Sequence, residues 1–125
     1  MSRQTFIFVG ATVRDPGPIR VVEQALGGHF LHEEGSDPYL RVGTVAVYAG
    51  RHEFDDDDIT WPEGPEIPLH SEFPVMIEAR DTSGDHRRQQ EVADKIFGAL
   101  RAEGRWPVVY IDDMQKVLDR YAPAD

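Results

Sequence analysis

The stretch RHEFDDDDITWPEGPEIPLHSE, residues 51–72, constrains this chain more than any other. It sets eight acids, four of them consecutive (Asp55, Asp56, Asp57 and Asp58), against a single arginine. Phe54, Ile59, Trp61, Ile67 and Leu69 are interleaved with them, as are prolines 62, 65 and 68. Strong strand signals lie on both sides. The stretch therefore reads as an acidic, proline-containing insertion between strands, and core building explains it least.

The remaining sequence divides at glycine and proline. Residues 5–13 are β-branched and aromatic, which predicts a strand. Asp15-Pro16-Gly17-Pro18 turns the chain, and Pro18 suits a first helical position, where its missing N–H is not needed. Ile19, Val22 and Leu26 recur at helical spacing until Gly27-Gly28. Residues 29–33 and 39–49 flank Gly35-Ser36-Asp37-Pro38 and predict an antiparallel hairpin. Residues 73–80 alternate as a strand. Asp85 caps a long helix over 86–103, with Val92, Ala93, Ile96, Phe97 and Leu100 as its apolar stripe and Gly104 as its stop. Residues 106–111 predict a last strand. Met114, Val117, Leu118 and Tyr121 then predict a short terminal helix ended by Pro123.

That order predicts a single α+β domain over 1–125. Its expected form is a mainly antiparallel sheet of four to five strands, with two main helices on one face and a short C-terminal helix. The nearest common architecture is a ferredoxin-like split βαβ arrangement, which hosts many unrelated functions.

Charge narrows the partners. Acids outnumber bases 23 to 13, for a net −10. Phosphate binding depends on Lys and Arg, so nucleic acid is not expected, and an anionic membrane surface would repel the chain. A basic protein would be drawn in. There is no cysteine, hence no disulfide, thiol nucleophile or thiolate metal site. The N-terminal apolar run is too short for a signal peptide, which predicts a cytoplasmic protein.

Three readings compete for the acidic stretch. It is a solvated loop, a protein-binding element or a calcium site. The calcium reading is weak, because D-x-[DN]-x-[DN]-G spacing is absent. In the binding reading, Asp55–Asp58 and Glu63 are charge partners and Trp61 or Phe54 is the buried anchor. Other constellations have ordinary explanations. His29 and His32, three apart on an expected strand, fall on opposite faces. His32, His52 and Asp112 are weak metal candidates. Asp112 with Gln115 fits a capping box for the expected terminal helix. The nucleophile elbow and both glycine-rich phosphate loops are missing.

The leading expectation is a non-enzymatic acidic protein-binding domain of immunity or regulatory type, which occludes a basic partner surface. Its partner-binding residues would be Phe54, Asp55, Asp56, Asp57, Asp58, Trp61 and Glu63, with no cofactor implied. The second is a metal-dependent enzyme or small-ligand domain with a cleft on the sheet. A homo-oligomer packing through Phe54, Trp61 and Leu69 is the third.

Overall fold

A computed structural model describes residues 4–35, 37–56, 67–114 and 116–123. Its strands are β1 (Thr5–Val9), β2 (Tyr39–Val42), β3 (Val45–Arg51), β4 (Val75–Asp81), β5 (Val108–Asp112) and β6 (Lys116–Tyr121). Its helices are α1 (Gly17–Leu26), α2 (Leu69–Glu72) and α3 (His86–Glu103). The strands form one antiparallel sheet in the order β2-β3-β4-β1-β5-β6. The fold is α+β, with one strand more than the sequence suggests. Among the described residues, no helix is long and apolar enough to cross a membrane.

Both main helices form where the sequence places them. Gly27 and Gly104 end α1 and α3 in the left-handed region, where a side chain would be strained. Asp85 caps α3 by accepting from the Arg87 and Arg88 N–H groups. The start of α1 is locked from outside. Asp15 accepts from Gly17 N–H at 2.8 Å and from Trp106 Nε1–H at 3.1 Å. Gly17 is needed there because a Cβ would lie 2.5 Å from the Trp106 ring.

Three expectations are corrected. Residues 39–49 are not one strand but the β2–β3 hairpin, reversed at Gly43 with φ +60°. Residues 29–33 contribute only an isolated bridge, Leu31 to Tyr39. The short C-terminal helix is strand β6, so Asp112 caps no helix. Asp113 and Met114, both at positive φ, turn the chain back on β5. The helical spacing of Met114, Val117, Leu118 and Tyr121 has another cause. A bulge in the β5–β6 pairing splits them between the sheet's two faces, Leu118 and Tyr121 on the helix side and Met114 and Val117 on the other.

All five residues of β1 and of β5 are buried, so both faces of the sheet's middle are covered. On one face Ile7, Val9, Val47, Ile77 and Tyr110 meet α1 and α3 through Val22, Ala93, Ile96 and Leu100. On the other, Phe6, Phe8, Val109 and Ile111 form a second core with Ile67, Leu69 and Phe73.

Candidate functional site

The second core is built by the two ends of the acidic stretch. After β3, His52 comes off the sheet with its ring edge-on to Phe8, centroids 4.9 Å apart. Its Nδ1 accepts from Phe54 N–H at 3.2 Å, which leaves the proton on Nε2 to donate to the Phe73 carbonyl at 2.7 Å. His52 thereby ties the start of the stretch to the residue just past its end. Phe54 follows, half-buried, with its ring edge-on to Phe6 and Phe8 at 5.7 and 5.8 Å.

A second clasp lies further along. The Asp56 carboxylate accepts from Ser71 N–H at 2.8 Å and from its hydroxyl at 2.9 Å, at the one-turn helix α2. These bonds, the backbone one first, hold the Asp56 pKa below the ordinary aspartate value. Between the clasps, Ile67, Leu69 and Phe73 go inward with 2% exposure or less. Leu69 is therefore sealed inside its own subunit and is not free to pack on a second copy. Glu53, Asp55, Asp56, His70 and Glu72 stay exposed.

The expected binding residues thus divide. Phe54 lies against the second core, while Asp55 and Asp56 are on the surface. Asp57, Asp58, Trp61 and Glu63 lie outside the described residues. The carboxylates of Glu53 and Glu72 make no ion pair among the described residues.

The metal candidates are not brought together. His32 is exposed on the 31–35 loop, and both ring nitrogens of His52 are engaged as above. Asp112 is buried at the end of β5, 3.9 Å from His86 Nε2. Among the described residues, no group of three or more His, Asp or Glu side chains is placed to hold a metal ion.

Sequence reasoning missed a polar cluster under the start of α3, made of Thr5, Asp81, Gln89 and Asp112, all buried. Gln89 donates to Thr5 Oγ1 at 2.9 Å and accepts from Asp81 N–H at 3.0 Å. The Asp81 carboxylate accepts from Ser83 and from Asp85 N–H, and its pKa is lowered, most strongly by the Thr44 hydroxyl. The Asp81-x-Ser83-x-Asp85 spacing was the available signal, and it marks a turn that feeds a helix cap. The Gln89 bonds tie α3 to β1 and β4, and the Asp81 bonds shape the turn from β4 into α3, so these contacts are explained by the fold.

No family model, curated protein or solved structure matches the chain. Its surface and its site must therefore carry the functional reading.

Proposed function

We propose that this chain is a non-enzymatic protein-binding domain of immunity or regulatory type, which occludes a basic partner surface with the outer side of residues 51–72. One observation carries the reading. The apolar residues described at the two ends of the stretch are used by the second core, whereas the carboxylates of Glu53 and Glu72 stay exposed and make no ion pair among the described residues. Of the chain's net −10, eight acids and one arginine in this stretch supply −7. The clasps at His52 and Asp56 fix both ends of that charge to the sheet, so less ordering entropy is lost when a partner docks. Trp61 is the proposed anchor, and Asp55, Asp57, Asp58 and Glu63 are the steering charges.

We read the four strands β3-β4-β1-β5 with α1 and α3 as a ferredoxin-like split βαβ core, with β2 and β6 added at the edges, a scaffold compatible with a binding domain and with many other functions. In this reading the acidic stretch occupies the sheet face opposite the helices.

The test uses immobilised protein and host lysate at low salt. Wild type should retain basic proteins that elute as salt rises. A charge-reduced variant (Asp55, Asp57 and Asp58→Asn with Glu63→Gln), which takes the stretch from −7 to −3, and Trp61→Ala should lose them. Retention of the same proteins by all three would refute the assignment.

A further inference from the structure

A cavity of about 180 Å³ opens at the end of the sheet where β3 leaves it. Val13, Pro18, Ile19, Pro38, Ala49 and Val75 give it a mainly apolar wall, to which Asp15 and Arg51 add charge. A second hollow of about 280 Å³, lined by Arg51, Val13, His52, His70 and Pro74, adjoins it through two shared residues.

The position of Arg51 is unusual for this sheet. Along β3, Val45, Val47 and Ala49 point to the helix side with 2% exposure or less. Strand alternation puts Arg51 next on that face of the sheet, opposite Val75 of the first core, but at the strand's end it is exposed and lines the mouth of the cavity. An apolar residue there would continue the core beneath α1. Instead the small Ala49 and the arginine leave a hollow beside Pro18 and Ile19. Arg51 makes no hydrogen bond or ion pair with any described residue, although it opens a stretch of eight acids.

The other charge in the wall is spoken for. Both Asp15 oxygens are engaged, one by Gly17 N–H and one by Trp106 Nε1–H. The five N–H donors of Arg51 are therefore the open valence of the cavity, and a guanidinium matches a carboxylate with two parallel bonds. Apolar walls with one well-placed polar group are what a small-ligand site needs. Val13, 41% exposed at the rim, is one of two large apolar side chains the described surface leaves uncovered.

We propose that this cavity binds a small aliphatic monocarboxylate, its acid group on Arg51 and its branched or linear tail between Ala49, Val75 and Ile19. The ionised Asp15 in the same wall opposes an anion at short range and holds the expected affinity in the millimolar range, whereas salt screens the more distant acids beyond about 8 Å at physiological ionic strength. Direct contact with Arg51 is not screened in the same way.

The test is titration of the full chain with 4-methylpentanoate and hexanoate, followed by backbone amide shifts and calorimetry. Saturable binding at millimolar ligand is expected, with the largest shifts at Val13, Ile19, Gly50 and Arg51. Arg51→Gln, which keeps most of the stem and loses the charge, should weaken binding by about tenfold or more. The neutral 4-methylpentanamide should bind as weakly to wild type as the acid binds to Arg51→Gln. The charge-reduced variant of the acidic stretch should bind the acid at least as tightly as wild type, because this site does not depend on the partner-binding reading. Absence of saturable shifts would overturn the proposal. So would equal affinity for acid and amide, or unchanged affinity in Arg51→Gln.

Discussion

The two faces of this sheet are covered by opposite means. On one face, helices α1 and α3 lay down apolar stripes at helical spacing, each helix ended by a glycine. On the other, the two described ends of the acidic stretch do the same work with Phe54, Ile67, Leu69 and Phe73, held by His52 and Asp56. A helix satisfies its own backbone and needs only packing. Outside the single turn of α2, the described ends have no such ladder, and side-chain clasps take its place. The difference teaches that segments which build a core can still keep Glu53, Asp55, His70 and Glu72 on the surface.

The comparison breaks first at Phe73. It is 2% exposed, and Phe73→Ala should cost about 3–5 kcal/mol, as much as a core phenylalanine on the helix side. Urea denaturation of Phe73→Ala beside Phe97→Ala checks this. A loss under about 1 kcal/mol for Phe73 alone would mean that the second face is a loose cover and not a core.

His52→Ala should come next, at about 2 kcal/mol, because it removes two hydrogen bonds and a ring packed on Phe8. Hydrogen exchange would sharpen the result. Protection should fall at Phe54 and Phe73 first, while α3 keeps its own.

The acid limb of stability separates the clasps from the rest. Asp15, Asp56 and Asp81 all have lowered pKa values, each held down chiefly by hydrogen bonds. For such groups the unfolded chain binds protons more readily than the folded one. Their contribution is therefore complete above the ordinary aspartate pKa of about 4 and is lost as pH falls through the lower folded value. Asp56→Asn should flatten that loss and leave stability near neutral pH lower than wild type. A melting series from neutral to acid pH reads both effects, and an unchanged acid limb would count against the Asp56–Ser71 clasp.

The smallest effect on stability should come from the charge-reduced variant. It leaves the second core and both clasps intact and should shift unfolding free energy by less than about 1 kcal/mol.

Legibility followed periodicity. Helix α3 could be read residue for residue, because Asp85, the stripe from Val92 to Leu100, and Gly104 all agree. The second core could not be read. Ile67 and Leu69 sit among acids and prolines, too few to sustain a period, and Phe73 reads as the first residue of the next strand, so nothing local joins the three into one core. Strand β6 was misread for a related reason, since its apolar residues serve both faces across a bulge and imitate a helical stripe. At the candidate site, the sequence marked the charge but not the clasps. The partners His52 and Phe73, and Asp56 and Ser71, are separated by 21 and 15 residues. Arg51 carries no signal in the sequence beyond its charge, and its place opposite Val75 at the mouth of the cavity appears only once the register is known.

The most direct test of the account compares wild type and the charge-reduced variant against the basic protein retained at low salt. Two quantities are read together: the melting temperature, and the association rate across a range of salt. The account predicts an almost unchanged melting temperature, with association slowed and its dependence on salt largely gone. A variant that melts far below wild type, yet captures the same partner at the same rate, would contradict it.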